Sequence, residues 1–71
     1  MERTPVDSSN IISIGYDPER EILEVEFQRG AVYQYLGVPA DVHDSLMQAP
    51  SHGRYLDVYI KKSEYPYKRV R

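Results

Sequence analysis

The chain lacks several residue types, and each absence excludes a class of protein. It contains no cysteine, which excludes a disulfide framework, a thiolate metal site and a CxxC redox centre and favours a reducing compartment. No apolar run approaches the ~20 residues that a membrane span requires, and the residues after Met1 contain no signal-peptide hydrophobic segment. We therefore expect a cytoplasmic protein that makes no membrane contact.

Basic residues are scarce over most of the chain. Residues 1–53 contain three basic and nine acidic side chains, a balance of −6, whereas residues 54–71 contain six basic and two acidic ones, a balance of +4. A cationic segment of this kind is a candidate phosphate-binding surface. Short basic tails more commonly pair with the acids of their own domain. The six cations are Arg54, Lys61, Lys62, Lys68, Arg69 and Arg71.

Catalytic and metal-binding motifs are also missing. Gly30, Gly37 and Gly53 are isolated and belong to no phosphate-binding glycine pattern. His43 and His52 stand nine residues apart without a convergent set of ligands, and we expect His43 to be solvated on a helix and His52 to lie in the first turn of the next one. The sequence predicts a protein that is not an enzyme and that holds no metal or cofactor.

Alternation of apolar and polar residues predicts strands in the first half of the chain. After a polar lead-in that we expect to be frayed, Ile12, Ile14 and Tyr16 share one side of the first strand. Residues 17–20, with proline in the second position, predict a type I turn. Residues 21–27 then alternate clearly, with one side in the core and the other in water.

The next hairpin can be predicted to its register. A loop of two residues would pair Val25 with Gln34, whereas a loop of three residues pairs Val25 with Tyr33. We favour the longer loop, because it places Gly30 in the left-handed conformation that glycine adopts without a steric penalty. Tyr33 and Tyr35 then face the core.

The other side of this hairpin carries both acidic and apolar residues. Glu24 and Glu26 are interpreted as the solvated side of a strand and not as a general acid/base pair. Ile22, Val32 and Leu36 share that side, which leaves two alternatives. Either the C-terminal tail covers these apolar residues, or they form a binding surface.

Two short helices are predicted after the strands. Pro39 suits the first helical position, apolar residues then recur at the helical period, and Pro50 ends this helix. Ser51 is the predicted N-cap of a second helix of about ten residues that ends at Lys61. The predicted fold is therefore α+β: residues 10–71 form a single domain in which a three-stranded antiparallel meander packs against two short C-terminal helices, in the order β-β-β-α-α.

Tyrosine supplies seven of the eight aromatic residues. Since a tyrosine ring can stack on a base, and cations can contact phosphates, the tyrosines of residues 54–71 and the six cations there predict an RNA or single-stranded nucleic-acid surface. The alternative is a protein-interaction module that uses the apolar sheet face or a sheet edge. In either case a monomer is favoured. The tyrosines outside Tyr16 form the pairs Tyr33 and Tyr35, Tyr55 and Tyr59, and Tyr65 and Tyr67.

Several short motifs follow one another at a specific spacing. They are Ser8-Ser9-Asn10-Ile11, Ile14-Gly15-Tyr16-Asp17, Leu23–Phe27, Gly30, Tyr33-Gln34-Tyr35, Val38-Pro39, Ser51 with Gly53 and Tyr55, and Tyr65-Pro66-Tyr67. Together they resemble the KTSC domain, named for the C-terminal domain of some lysyl-tRNA synthetases and also found as single-domain bacterial proteins. The family signature is a central Tyr-X-Tyr, here Tyr33 and Tyr35. The resemblance implies a shared fold, no established activity and, from the synthetase context, RNA binding.

Overall fold

A computed structural model describes residues 1–71 and contains a five-stranded antiparallel sheet in which the strands follow one another in chain order. Two helices connect the fourth strand to the fifth, and the second of them continues directly into a π-helix. The elements are β1 (Arg3–Pro5), β2 (Ile11–Asp17), β3 (Ile22–Phe27), β4 (Val32–Leu36), α1 (Ala40–Gln48), α2 (His52–Tyr55), the π-helix (Leu56–Lys61) and β5 (Tyr67–Arg69).

The α+β class, the antiparallel meander and the two helices are confirmed, but the predicted number of three strands is wrong. Two further strands flank the meander: β1 pairs with β2, and β5 pairs with β4. Each contains three residues, and those of β5 are all exposed. Strands this short and polar carry no hydrophobic alternation, so backbone pairing with a neighbouring strand decides their conformation. Part of the predicted lead-in, residues 1–9, is therefore β1.

The predicted register of the β3–β4 hairpin is confirmed. Val25 lies opposite Tyr33, and the Phe27 amide donates a hydrogen bond to the Ala31 carbonyl at 2.9 Å. Gly30 has a φ of 92°, which lies in the region that other residues avoid. The three-residue loop thus puts the tyrosines of β4 on the same face as the apolar residues of β3.

A bulge in β2 changes which isoleucine faces the core. Ile11 lies opposite Phe27 and Ser13 lies opposite Glu26, so one extra residue of β2, Ile12, lies between two positions whose partners are adjacent in β3. Ile11 is fully buried, whereas Ile12 is only half-buried. The core position that simple alternation predicts for Ile12 is therefore occupied by Ile11.

The helices pack on one face of the sheet and enclose the core. The Ser51 hydroxyl caps α2 by accepting a hydrogen bond from the Arg54 amide at 3.3 Å, as predicted. No helix of the structure combines the length and apolar character needed to cross a membrane. The core consists of Ile11, Ile14, Leu23, Val25, Tyr35, Val38, Leu46, Leu56 and Ile60.

Candidate functional site

Strand β5 distributes the C-terminal side chains between the two faces of the sheet. Arg69 lies opposite Tyr33, and Lys68 lies opposite Gln34. Because directly opposite residues of an antiparallel pair share a face, Arg69 lies on the helix-bearing face together with Tyr67. Lys68 lies on the other face. Strand β5 thus places the predicted phosphate contacts Lys68 and Arg69 on opposite faces of the sheet.

Four aromatic rings adjoin on the helix-bearing face. Phe27 meets Tyr33 edge to face at 5.9 Å between centroids, and Tyr67 lies 5.9 Å from both Tyr33 and Tyr35. Tyr35 belongs to the core, with 4% of its surface exposed, whereas Tyr67 is 65% exposed. Burial, followed by the nearby charges of Tyr33, Tyr67 and Asp57, raises the pKa of Tyr35 to about 12. One ring of the cluster, Tyr35, is therefore part of the core, and another, Tyr67, is exposed enough to stack on a ligand.

A pocket of about 490 Å³ opens beside these rings, between the β3–β4 hairpin and the π-helix. The hairpin contributes Phe27 and Tyr33 to its wall, the π-helix contributes Asp57 and Lys61, and β5 contributes Arg69. The pocket is consequently lined on one side by aromatic rings and on the other by charged groups.

The charged groups of this pocket are mainly cationic. The Lys61 ammonium lies 5.5 Å from the centroid of the Phe27 ring and 3.1 Å from a carboxylate oxygen of Asp57. Arg29 and Arg69 also line the pocket, and neither forms an ion pair. Three cations and one carboxylate thus face a pocket in a chain whose net charge is −2. This local excess of positive charge favours an anionic ligand.

A second, polar pocket of about 480 Å³ adjoins the first, and the two share Asn10, Gly53 and Asp57. Its lining contains no hydrophobic residue and includes Arg54. A Cβ atom at Gly53 would lie 3.3 Å from the Asn10 side-chain nitrogen. The missing side chain of Gly53 therefore leaves room for the Asn10 amide at the junction of the two pockets.

A hydrogen-bonded network covers the opposite face of the sheet. The Arg3 guanidinium lies 2.6 Å from Glu24 Oε2 and donates to Ser13 Oγ at 3.0 Å, and the Gln34 amide donates to Glu24 Oε1 at 2.7 Å. Burial alone would raise the pKa of Glu24, but the hydrogen bonds from Gln34 and Arg3 and the charge of Arg3 hold it below its usual value. The prediction that Glu24 is solvated is wrong, since only 6% of its surface is exposed.

The C-terminal residue closes this network. Arg71 forms an ion pair with Glu26, and its Nε donates to the Gly30 carbonyl at 3.2 Å. Hydrogen bonds from Ser13 and Arg71 lower the pKa of Glu26. Arg71, a predicted phosphate contact, is therefore already bound to a carboxylate of its own domain.

The tail also covers part of the apolar side of the hairpin. The Val32 amide donates to the Arg71 carbonyl at 3.1 Å, and only 2% of Val32 is exposed. Ile22 and Leu36 are half-buried. The C-terminal tail therefore covers Val32, as the first of the two alternatives for these apolar residues predicted.

The other predicted site residues lie on or after the second helix. The Tyr55 and Tyr59 rings lie 4.7 Å apart between centroids and are tilted by 36°. Tyr59 is exposed, whereas Tyr65 is half-buried against the core. Lys62 is exposed and forms no ion pair. The structure thus brings Lys61, Tyr67 and Arg69 to the signature tyrosines, puts Arg54 in the polar pocket, and leaves Tyr59 and Lys62 on the outer side of the helix.

Eight of the twelve residues that line the pocket were not predicted as site residues, among them Asn10, Phe27, Arg29 and Asp57. Asn10 belongs to the Ser-Ser-Asn motif of the family resemblance, which was the available signal. Phe27 ends β3 and Arg29 lies in the loop of the hairpin whose register was predicted, but their positions beside the π-helix depend on tertiary packing. The helical pattern of the second helix predicts that Asp57 lies on the solvated side.

Both histidines contact other residues of the domain. His43 stacks on Tyr16 with 4.5 Å between ring centroids and 8° between planes, and burial lowers its pKa against the opposing charge of Asp44. The prediction of a solvated His43 is therefore wrong. The His52 Nδ1 atom lies 2.9 Å from the Leu46 carbonyl. No group of three or more histidine, cysteine or acidic side chains is arranged to hold a metal ion.

The fold and its central tyrosines define a small α+β domain, and comparison with known proteins gives its family. The chain belongs to the KTSC domain family, which matches residues 7–67. It is 45% identical to a KTSC domain protein from Yersinia pestis whose crystal structure superimposes with a TM-score of 0.90, over 99% of this chain and 97% of that one.

Two kinds of sequence relative are found. An uncharacterized protein from Stutzerimonas stutzeri is 46% identical over 70 residues, which cover 99% of both chains. A lysine–tRNA ligase from Nostoc sp. is 34% identical over 64 residues, which are 90% of this chain but 11% of the ligase. The domain therefore matches both a protein of its own length and a small part of a much longer enzyme.

Proposed function

We propose that this domain is a non-enzymatic module that binds RNA or single-stranded nucleic acid through the helix-bearing face of its sheet. The observation that carries the proposal is that Tyr67, an exposed ring in contact with Tyr33 and Tyr35, lies on the same face as Arg69. Arg69 forms no ion pair with an acidic side chain, and its Nε donates a hydrogen bond to the Arg71 carbonyl at 3.0 Å. An exposed aromatic ring stacks on a base of any sequence, and an adjacent guanidinium contacts the phosphate.

Two further observations support the proposal. The cations Lys61 and Arg69 lie around the same pocket, so the charge is concentrated where the rings are. The matching lysine–tRNA ligase acts, by its name, on an RNA, and a related domain within such an enzyme would have RNA close by. We also infer a cytoplasmic location, because a chain without cysteine suits a reducing compartment.

The test is a two-dimensional NMR amide titration of the full chain with short mixed-sequence single-stranded RNA at low and at moderate salt. We expect salt-sensitive shifts on β5 and the π-helix. Replacing Tyr67 with Ala should weaken RNA binding by about tenfold, because one base–aromatic stack contributes about 1–3 kcal/mol. Lys68→Ala, on the same strand but the opposite face, is the control and should weaken binding less. Absence of shifts at both salt concentrations would refute the proposal.

The alternative is a protein-interaction module that uses a sheet edge. The outer edges of β1 and β5 have no strand partner, and Val70 beside β5 is exposed. An exposed strand edge can pair with a strand of another protein. Binding of this kind would depend little on salt and would shift the amides of one edge strand, which separates it from the nucleic-acid proposal.

A further inference from the structure

We propose that the pocket between the β3–β4 hairpin and the π-helix binds one whole nucleotide, with the base against the aromatic wall and the phosphate against the cations. This proposal rests on the proposed function and specifies its site: one nucleotide of a strand leaves the surface and enters the pocket. A free nucleoside monophosphate should therefore bind to the same place.

The size and the walls of the pocket suit this ligand. Its volume of about 490 Å³ falls within the roughly 300–1,000 Å³ of typical small-molecule sites. Phe27 and Tyr33 form an edge-to-face pair in the wall, and an aromatic wall of this kind can accept a base by stacking. Phe27 and Tyr33 are only half-buried, so part of each ring is accessible to a base.

The charges suit a phosphate at the pocket's rim. Arg29 and Arg69 come from the hairpin and from β5, respectively, and neither has an acidic partner. Lys61 lies across from them on the π-helix, held above Phe27 at 5.5 Å. A phosphate between these groups would gain charge-assisted hydrogen bonds that a neutral base alone would lack.

The polar junction with the second pocket favours a nucleotide over another phosphorylated aromatic group. Asn10 lies beside Gly53, and Asp57 faces both pockets. An amide and a carboxylate can hydrogen-bond the donor and acceptor groups on a base edge or the hydroxyls of a ribose. The phenyl ring of a phosphotyrosine offers no such groups, so these side chains would remain unmatched.

The π-helix is the element that sets this geometry. Leu56, Asp57 and Lys61 of the π-helix all line the pocket, and Leu56 is also part of the core. The wider turn of a π-helix is rare and occurs frequently at functional sites. Its position along the pocket wall is thus a second, independent indication that the pocket has a role.

The experiment is an amide NMR titration of the full chain with AMP, GMP, CMP and UMP, and separately with adenosine, inorganic phosphate and O-phosphotyrosine. We expect at least one nucleotide to shift the amides of residues 27–31 and 56–61. The nucleoside and phosphate should each bind at least about tenfold more weakly than that nucleotide, since each makes only part of the contacts. No shift with any nucleotide, or shifts with O-phosphotyrosine alone, would overturn the proposal.

Two pairs of neighbouring cations provide matched variants. Lys61→Ala and Arg69→Ala should each weaken nucleotide binding by about tenfold, whereas Lys62→Ala and Lys68→Ala, which do not line the pocket, should leave it unchanged. Equal losses within each pair would overturn the assignment.

The RNA titration separates the two proposals. RNA binding without any response to mononucleotides would overturn the pocket site and leave the surface in place. A response to mononucleotides without RNA binding would refute RNA binding and identify the pocket as a site for free nucleotides.

Discussion

Gly15 lies where β1 comes closest to β2. It pairs with Arg3, and a Cβ atom at this position would lie 2.7 Å from the Glu2 carbonyl oxygen and 2.9 Å from Arg3 Cγ. Gly15→Ala should therefore displace β1 and destabilise the fold by about 1–3 kcal/mol, the usual cost of overpacking. Urea denaturation of the two proteins measures the difference.

The control for this prediction removes the obstructing strand. In a chain that lacks residues 1–5, Gly15→Ala should cost little, because the contacts with Glu2 and Arg3 are gone. Such non-additivity is expected when two changes act on one contact. An equal cost in both backgrounds would show that the substitution acts through β2 itself.

The structure around a residue can be predicted from the sequence when a property of that residue alone determines it. Gly30 could be assigned to a left-handed turn because only glycine occupies that conformation easily, and the pairing of the signature tyrosines followed from it. Glu24 was misassigned because its burial depends on Arg3 and Gln34, which lie on two other strands. The alternation in a strand predicts which face of the sheet a side chain lies on, but not whether residues of other strands will bury it.

At the scale of elements, the central hairpins and helices could be predicted, whereas both edge strands could not. β3 and β4 alternate clearly, and Ser51 marks the start of the second helix. β1 and β5 are held by backbone hydrogen bonds and by single residues such as Tyr67 and Arg3. The candidate pocket was missed for the same reason, since it forms between elements distant in the sequence.

Strand β5 supplies a prediction at this scale. A chain that ends at Pro66 should lose about 1–3 kcal/mol of stability, because it lacks the β4–β5 hydrogen bonds and the contacts of Tyr67 with two tyrosines. Hydrogen exchange of the Val32 amide, which bonds to Arg71, should accelerate more than that of Val25 at the centre of the sheet. Full-length Arg71→Gln, which retains the strand, is the control; exchange at Val32 as fast as in the truncated chain would show that the ion pair, not β5, holds this edge.

The carboxylates of β3 link the two ends of the chain on the face of the sheet opposite the helices. Arg3 near one end of the chain and Arg71 at the other both reach this pair, through Glu24 and Glu26. Arg71 thus pairs one cation of the basic C-terminal segment with an acid of the rest of the chain. Pairing with the domain's own acids is the common role of a short basic tail, and Arg29, Lys61 and Arg69 remain around the pocket on the other face.

This arrangement predicts how stability depends on pH. The hydrogen bonds and charges described above lower the pKa values of Glu24 and Glu26 in the folded state. A carboxyl group with a lowered folded-state pKa stabilises the fold above its unfolded-state value, about 4.3, and that contribution is lost as the pH falls through the folded-state pKa. The contribution of Glu24 and Glu26 to the free energy of unfolding should therefore be level above about pH 5 and decline below about pH 4.5.

The decline at acid pH should come from the network and not from acidic residues in general. Glu26→Gln removes one of its carboxylates, so the acid decline should be shallower in this variant than in the wild type. Glu19→Gln, which alters an exposed residue without an ion pair, should leave the decline unchanged. Urea denaturation from pH 3 to pH 7 measures all three slopes. Identical slopes for the wild type and Glu26→Gln would mean that the ion pair with Arg71 contributes nothing to folding, and the C-terminus would then be held by the backbone bonds to Val32 and the hydrogen bond from Arg71 to Gly30.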